Sequence, residues 1–397
     1  MIPYLRTAKP SELRGVVLLR LDLNTADEWR LKAEIPTIRF LLRHAASIII
    51  VSHRGRPNPI LPFLRGVPAR GEISSPLRNS RSAKKFSLRR DAATLSKYLR
   101  RPVKLIQHFD FPHIAEEVRR APRKSVFLLE NIRFVEGETE NDEKLAKQLA
   151  GIADFYVNDA FAVSHRANAS VAAITKFLPS FAGLEFEEEI RMLSRVMRRP
   201  KRPLAVIVGG AKAEDKLGLL HYFKHKADWI MLGGATANAM LRIKGVQVGS
   251  SLAAHGIEKN PVVREIEKFP HLILPIDWKA EKGKIFDIGA KTEKLFAKKI
   301  AGARTIIWNG PLGLMEKKKF AHGSVAIARM IIANKHAFRL VGGGETVGFL
   351  YQHHLEHKFD FVSTGGGAML DFLSGEKLPG IRALSGALKK RKQKGNS

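Results

Sequence analysis

The chain has 397 residues, with 68 lysines and arginines against 38 aspartates and glutamates, and therefore a formal charge of +30. It contains no cysteine, which excludes a disulfide framework, a thiolate zinc site, an iron–sulfur cluster and a cysteine nucleophile. An apolar content of 45% predicts a globular chain, and the length predicts two or three domains. No apolar run approaches the ~20 residues of a membrane-spanning helix, and we expect a cytoplasmic protein.

Part of the positive charge is concentrated in two segments. Residues 58–85 carry six basic residues, one acid and four prolines, which predicts a long basic loop inserted in the first domain. Residues 385–397 carry five basic residues and no acid, which predicts a disordered tail. The remaining charge is spread over the body, as on an ordinary solvated surface. Because zinc-finger spacing and an aromatic-rich ribonucleoprotein motif are both missing, only non-specific electrostatic binding of nucleic acid is indicated.

Apolar runs alternate with helix-period stretches along the whole chain. Strands are predicted at 16–23, 47–51, 125–129, 155–157, 204–208, 229–232, 272–276, 305–308, 338–341 and 361–363. Helices are predicted at 35–44, 143–149, 184–197, 211–221, 292–300 and 321–334. Nearly continuous apolar runs are typical of strands buried on both faces of a parallel sheet.

This alternation predicts an α/β fold with two doubly wound, Rossmann-like parallel-sheet domains. The amphipathic stretch 184–199 has acids early and arginines late, as a helix dipole favours, and is predicted to be a hinge helix. The predicted organisation is a first domain at 1–183, the hinge helix, a second domain at 200–384 and a tail at 385–397. The segment 368–384 is expected to pack back on the first domain.

The strands of the first half run into charged and polar residues. Arginine suits bidentate contact with phosphate or carboxylate, and ligands bind beyond the carboxyl ends of parallel strands. Several arginines at neighbouring strand ends therefore predict a site for a small, multiply anionic molecule. The candidate residues are Asp22, Asn24, Arg30, His53, Arg56, Arg133 and Arg166.

The strands of the second half run into glycine turns that lead into helices. Backbone N–H groups at such turns approach anions closely, and several on one sheet suit a nucleotide. A single Gly-Gly pair is usually only a tight turn, so the argument rests on their repetition. The P-loop, the G-x-G-x-x-G turn and the protein-kinase signatures are missing, which argues against a dehydrogenase or an ordinary P-loop ATPase. An anion site facing a nucleotide site across a hinge indicates phosphoryl transfer.

An ordered set of segments resembles the phosphoglycerate kinase family from about residue 14 to residue 384. The first-half segments are RLDLN (20–24), IPTI (35–38), VSHRGRP (51–57), LLENIRF (128–134), YVNDAF (156–161) and HRANAS (165–170). The second-half segments are VGGAKAEDKLG (208–218), DIGAKT (287–292), IIWNGPLGLME (306–316), VGGGETV (341–347) and STGGGAMLDFLSGEKLPGI (363–381). The segments 58–85 and 385–397 lie outside this pattern.

The resemblance implies reversible transfer between the ATP γ-phosphate and the carboxylate of 3-phosphoglycerate, with Mg²⁺, by a monomer. It implies that the seven first-half candidates hold phosphoglycerate. The residues that it implies for the nucleotide are Gly210, Lys212, Lys216, Gly234, Asn309, Glu316, Gly342, Gly343, Gly344, Glu345 and Thr346. Arg30, Lys212, Gly343 and Gly366 are expected at the transferring phosphoryl group, and Glu345 at the metal. Closure about the hinge helix is expected to bring Arg30 and Lys212 into action.

Several positions depart from the family pattern. Glu345 stands where the family has a metal-binding aspartate, Asn168 replaces a histidine, and Ala235 lies in a turn that is usually rich in glycine. We therefore expect an active enzyme with an altered nucleotide or metal preference. Two alternatives are an inactive relative that serves as a basic scaffold or nucleic-acid binder, and another α/β kinase of a small carboxylate.

Overall fold

The structure, a computed structural model, describes residues 2–25, 27–58, 81–253 and 257–394. It divides into two compact units. The first is Met1–Glu188 together with Lys377–Ser397, and the second is Glu189–Glu376. A C-terminal segment therefore belongs to the first unit, as expected, but it begins at Lys377, and residues 368–376 of the predicted segment belong to the second unit.

The first unit is built on a six-stranded parallel sheet in the order β3-β4-β2-β1-β5-β6. Its strands are β1 Val16–Arg20, β2 Ser47–Val51, β3 Val103–Ile106, β4 Val126–Leu129, β5 Phe155–Asn158 and β6 Ser180–Ala182. The central strand β1 pairs with β2 on one side, from Val16 opposite Ser47, and with β5 on the other. Apolar clusters cover both faces of this sheet, which explains why its central strands read as continuous apolar runs.

The second unit contains a six-stranded parallel sheet in the order β14-β13-β12-β7-β8-β9 and an antiparallel hairpin of β10 and β11. The strands are β7 Leu204–Val208, β8 Trp229–Leu232, β9 Leu272–Ile273, β10 Trp278–Glu281, β11 Lys284–Ile288, β12 Thr305–Asn309, β13 Phe338–Gly342 and β14 Phe361–Val362. Trp308 on β12 is fully buried and anchors one face of the core.

Helices connect most of the successive strands in both units. They are α1 Glu28–His44, α2 Arg81–Phe86, α3 Arg89–Leu99, α4 Phe111–Arg120, α5 Glu143–Ala150, α6 Leu184–Arg198, α7 Leu217–Phe223, α8 Gly234–Ile243, α9 Pro261–Glu267, α10 Ala290–Gly302, α11 His322–Ala333, α12 Gly344–Gln352, α13 Gly367–Leu373 and α14 Pro379–Lys394. The predicted hinge helix is α6, and the two units divide within it, after Glu188. In the described part of the chain, no helix has both the length and the apolar character needed to cross a membrane.

The two predicted basic segments differ from expectation where the structure describes them. Residues 59–80 of the predicted loop lie outside the described residues, and Arg81–Phe86 forms α2. The tail was predicted to be disordered from residue 385, whereas α14 continues to Lys394. Leu384 and Ala387 are buried, so this part of α14 is held by packing. The helix then continues through the basic residues that follow, because lysine and arginine are good helix formers.

Candidate functional site

In the first unit, the strand order reverses between β1 and β5, and ligands of parallel sheets bind at such a point. The predicted residues Asp22 and Asn24 follow β1, and His53 and Arg56 follow β2. Arg133 lies in the 3₁₀ turn after β4, and Arg166 follows the turn after β5. Arg30 lies in the first turn of α1, which begins shortly after β1. The fold therefore carries the whole predicted set to the carboxyl edge of one sheet.

A buried arginine at the end of β1 organises this edge. Arg20 is 1% exposed, and its Nη2 lies 3.1 Å from Nδ1 of His53. Its Nε donates to the Ser170 hydroxyl at 3.0 Å, and that hydroxyl donates to Oε1 of the buried Glu138 at 2.6 Å. The carboxylate thus lies close enough to offset a positive charge that would otherwise be costly to bury.

His53 is held as a neutral imidazole. Its burial, and then the charge of Arg20, keep its pKa well below the ordinary histidine value. Because Arg20 donates to Nδ1, the proton of the neutral ring lies on Nε2. This Nε2 is buried and meets no hydrogen-bond partner among the described residues. A buried N–H group without a partner is suited to donate to an oxygen of a bound anion.

The guanidinium groups of Arg133 and Arg166 lie near each other and near His53. Burial, and then the neighbouring Arg166, lower the pKa of the Arg133 side chain to about 10, and Arg56 contributes in the same direction. Arg133 also donates to the backbone oxygen of Gly55, while Arg166 Nε lies 3.0 Å from Nε2 of His165. Mutual repulsion among these cations is relieved when an anion binds, so the cluster favours a multiply charged ligand.

The polar residues after β1 are fixed by short hydrogen bonds. Oδ1 of Asp22 accepts from the backbone N–H of Asn24 at 3.2 Å, and Oδ1 of Asn24 accepts from the backbone N–H of Gly55 at 2.7 Å. Arg30 is half-buried, and its Nε has no hydrogen-bond partner within the described ranges. Asp22 therefore fixes Asn24, Asn24 holds the loop after β2 in place, and Arg30 keeps donor capacity for a ligand.

The predicted set of site residues does not include Arg20, Glu138 or His165. Arg20 was assigned to the strand because it lies among apolar residues, yet a charged residue inside a buried strand was the available signal. Asn168, which departs from the family pattern, is buried and donates to the backbone oxygen of Glu138 at 3.1 Å. Its position is therefore structural in this chain.

In the second unit, the strand order β9-β8-β7-β12-β13-β14 reverses between β7 and β12. The turns that follow these two strands are joined by backbone hydrogen bonds. The N–H of Gly209 donates to the carbonyl of Asn309 at 2.9 Å, and the N–H of Gly210 donates to the carbonyl of Pro311 at 2.7 Å. The N–H of Ala235, in the turn after β8, donates to the carbonyl of Gly210 at 3.0 Å. Two predicted nucleotide positions, Gly210 and Asn309, therefore lie in one group of turns joined by backbone hydrogen bonds.

Asn309 carries the least satisfied polar group of this unit's described site residues. Its side chain is fully buried, and neither amide atom has a hydrogen-bond partner in the described part of the chain. Gly343 has φ +95°, a conformation that favours glycine, and a Cβ there would lie 3.2 Å from Nδ2 of Asn309. The buried hydroxyl of Thr346 likewise lacks a described partner. These donors surround the start of α12, where an anion is favoured.

Lys212, Lys216 and Glu345 place charges of both signs beside these turns. Burial lowers the pKa of Lys216, whereas Asp215 and Glu345 raise it and Lys212 lowers it. These mutual effects show that the two lysines and Glu345 lie close together. Lysines that approach phosphates, with one carboxylate available for a cation, are the donors expected around a magnesium-bound polyphosphate.

A cavity of about 330 Å³ opens next to the glycine turns. Its lining includes Gly210, Gly234, Glu316 and Glu345 of the predicted set, together with Ala235, Leu252, Trp278 and Phe286. Apolar walls with a few polar groups at one end are typical of a pocket for a flat heterocycle carrying a charged tail. The walls at Trp278 and Phe286 belong to the β10–β11 hairpin, which the sequence analysis did not predict.

The turn at 363–366 is held by hydrogen bonds to the buried carboxyl group of Glu189. Oε1 of Glu189 accepts from the N–H of Thr364 at 2.6 Å, and Oε2 accepts from the Ser363 hydroxyl at 2.8 Å. Burial raises the pKa of Glu189 to about 7, and these hydrogen bonds oppose the rise. Gly366 immediately precedes α13. The carboxyl group of Glu189 thus orients the glycine turn but is itself buried beneath the protein surface.

Comparisons with known proteins place this geometry in a family. The model of the family described as "Phosphoglycerate kinase" matches residues 13–376. The phosphoglycerate kinase of Dictyoglomus turgidum is 36% identical over 407 residues, covering 95% of this chain and 97% of that protein. That of Desulfosudis oleivorans is 37% identical over 399 residues, covering 93% and 95%.

Solved structures agree with these sequence relatives. The phosphoglycerate kinase structure from Coxiella burnetii aligns with a TM-score of 0.79 at 31% identity, covering 97% of this chain and 99% of that chain. The structure from Pyrococcus horikoshii aligns with a TM-score of 0.81 at 28% identity, covering 98% and 100%. The similarity therefore extends over both units.

Proposed function

The chain belongs to the phosphoglycerate kinase family, and from this membership we propose how its own residues divide the reaction. The enzyme is a phosphotransferase with a carboxyl group as acceptor, and its reaction belongs to glycolysis. ATP or ADP and phosphoglycerate are its substrates. We assign phosphoglycerate to the basic edge of the first unit and the nucleotide to the glycine turns and cavity of the second. The scaffold and nucleic-acid alternative has no observation in its favour.

One observation supports the substrate assignment above the others: neutral His53 lies among guanidinium groups with its Nε2 unsatisfied within the described residues. In this proposal Arg56, Arg133 and Arg166 neutralise the substrate phosphate, and His53 donates to one of its oxygens. Arg30 keeps a free donor for the reacting carboxylate end. Five of the seven residues predicted for phosphoglycerate are proposed to act in this way, while Asn24, fixed by Asp22, holds the loop after β2 beside them.

The reaction requires positioning and charge neutralisation rather than a base. The acceptor carboxylate is already ionised at pH 7, so no proton has to be removed before it attacks the γ-phosphorus. Arg30 stabilises charge from the acceptor side, and Lys212 stabilises it on the transferring group. Donors from the turns at Gly343 and Gly366 meet the oxygens of that group. The predicted closure about α6 stays a prediction, as do the monomeric state and the cytoplasmic location.

Mg²⁺ fits the donors of the second unit. It binds proteins through one or two carboxylates and otherwise through water and substrate phosphates. Glu345 supplies such a carboxylate at the start of α12, beside the cavity. When bound, the ion neutralises charge on the β- and γ-phosphates. Glu345 and the phosphates would hold it, while Lys216 stays along the phosphate chain.

A coupled assay with ATP, Mg²⁺ and 3-phosphoglycerate tests the proposal. Arg30→Ala should reduce kcat/KM by about 100-fold or more, as loss of one transition-state donor does. Arg43→Ala is the matched control, because Arg43 is an exposed arginine in the last turn of the same helix. Absence of turnover by the wild-type protein, or equal activity of the two variants, contradicts the assignment.

A further inference from the structure

Three side chains with metal-binding groups converge outside both substrate sites. His108, His113 and Glu117 each offer one ligand atom, and these atoms lie within 4.8 Å of one another. Among the described residues, this is the one group of three or more histidine and acidic side chains that meets such a distance. None of the three has a role in the reaction proposed above. The group lies in the first unit, where β3 forms the edge of the sheet.

The fold fixes two of the ligands on one helix. Asp110 caps α4, because its Oδ1 accepts from the backbone N–H of His113 at 3.2 Å. His113 and Glu117 are four residues apart and therefore project from the same side of the helix. The buried side of α4 is a different stripe, formed by Phe111, Ile114, Ala115 and Val118. The core thus orients the helix so that both potential ligands stay accessible.

The third ligand comes from the segment that follows β3. His108 is half-buried, and its ring centroid lies 5.3 Å from that of His113. Its Nε2 lies 4.0 Å from Oε2 of Glu117. Zinc bonds of about 2.0–2.1 Å in tetrahedral geometry separate ligand atoms by about 3.4 Å. The separations, 4.0 Å for this pair and no more than 4.8 Å within the group, must therefore shorten by side-chain adjustment when an ion binds.

Glu117 is already oriented by a neighbour. Its Oε1 lies 2.9 Å from Nζ of Lys104 on β3, which leaves Oε2 on the side of His108. This contact is an ion pair, and a charged partner outside the ligand set can fix which carboxylate oxygen faces a metal ion. The ammonium group of Lys104 weakens the attraction of Glu117 for a cation, so most of the binding free energy must come from the two imidazoles.

We propose that His108, His113 and Glu117 bind a divalent transition-metal ion of the zinc type, with water completing the coordination. Two imidazoles and one carboxylate suit such ions, whereas Mg²⁺ prefers oxygen ligands. The ion joins the segment after β3 to α4 and stabilises this edge of the first unit. This site is independent of the magnesium that the reaction uses.

Titration of Zn²⁺ into the chelator-treated full chain tests the site. A chromophoric chelator serves as competitor, and millimolar Mg²⁺ is present throughout. The wild type should bind one Zn²⁺ per chain, and His113→Ala should bind it at least about 10-fold more weakly. His357→Ala, which removes an exposed histidine of the second unit, is the matched control and should bind like the wild type. Equal Zn²⁺ affinity of His113→Ala and wild type overturns the proposal.

Two further readouts separate metal binding from damage to the fold. Zn²⁺ should raise the Tm of the wild type and not that of His113→Ala, because only a protein that binds the ion is stabilised by it. Co²⁺ should give the visible absorption of a low-coordinate site in the wild type alone. Turnover of 3-phosphoglycerate shows that each variant is folded. A folded wild type that shows neither the Tm shift nor the Co²⁺ spectrum also overturns the site.

Discussion

Glu345 faces Gly210 across the nucleotide turns: a Cβ carbon at position 210 would lie 3.9 Å from Oε2 of Glu345. Gly210 has φ +89°, so glycine both permits the turn and leaves this space free. The same carboxylate raises the pKa of Lys216, which burial lowers. A negative oxygen, a lysine and a glycine turn therefore share one small volume at the ends of β7 and β13.

This relationship predicts that Glu345 controls the metal dependence of the reaction. Glu345→Gln should reduce kcat at limiting Mg²⁺ by about 10-fold or more, since a neutral amide is a poorer ligand for a hard cation. Glu345→Asp should shift the Mg²⁺ and Mn²⁺ titration curves, because the shorter side chain moves the carboxylate. Glu214→Gln, an exposed acid in the nearby 3₁₀ turn, is the control. Superimposable metal titrations of wild type and Glu345→Asp would reject the altered preference.

Replacing Asn309 should weaken nucleotide binding without lowering the stability of the fold. Its buried amide has no hydrogen-bond partner among the described residues, and an unsatisfied buried group costs about 1–3 kcal/mol. Asn309→Ala removes that cost, so the urea midpoint should stay the same or rise. The KM for ATP should increase by about 10-fold, because a donor to the phosphates is lost. A lower urea midpoint with an unchanged KM would mean that Asn309 is structural.

Asp159 should make stability depend on pH. It is fully buried, and burial raises its pKa from 3.8 to about 6. Because the folded state holds the proton more tightly, the stabilising contribution is complete below about pH 4 and is lost as the pH rises through 6. The change is on the order of 3 kcal/mol by 1.36 kcal/mol per pKa unit.

The measurement compares urea unfolding of wild type and Asp159→Asn at pH 5 and pH 7. The amide introduced by this substitution cannot ionise, so the variant should gain stability relative to the wild type between these two values. The backbone N–H of Phe186, which donates to Oδ1 of Asp159 at 3.1 Å, keeps an acceptor in the amide oxygen. If the unfolding free energies of the two proteins differ by the same amount at pH 5 and pH 7, the pKa of Asp159 is not raised by burial.

Much of the fold was predictable because burial on both faces leaves a direct trace in the sequence. The central strands β2, β7 and β8 were predicted with the bounds observed. The edge strand β3 was missed because Lys104 is exposed and interrupts its apolar run. The hairpin β10–β11 was missed because charged residues alternate along strands that are only partly buried.

The site was predictable where its residues follow a strand, and it was not where they lie elsewhere. Residues such as Asp22 and Asn309 stand at strand ends, where ligands of parallel sheets bind. Arg20 is the last residue of β1, but the predicted strand extends to residue 23 and encloses it, so only its burial beside His53 identifies it. Trp278 and Phe286 line the cavity from the β10–β11 hairpin. Because the hairpin was not predicted, these two residues could not be assigned to the cavity either.

The pair of Arg20 and Glu138 allows a final prediction about the substrate site. Arg20→Met removes the stronger of the two arginine charges that act on the buried Glu138, which Arg20 reaches through the Ser170 hydroxyl, and should destabilise the protein by up to about 3–5 kcal/mol. Adding Glu138→Gln removes the charge that Arg20 offset, and the double variant should recover most of the lost stability. It should not recover phosphoglycerate binding, because the ring of His53 has lost the donor at Nδ1 that fixes its tautomer. Urea unfolding and the KM for 3-phosphoglycerate, measured for both single variants and the double variant, test this separation. If the stability changes are additive, Arg20 and Glu138 are not coupled; if substrate binding returns with stability, Arg20 acts only in folding.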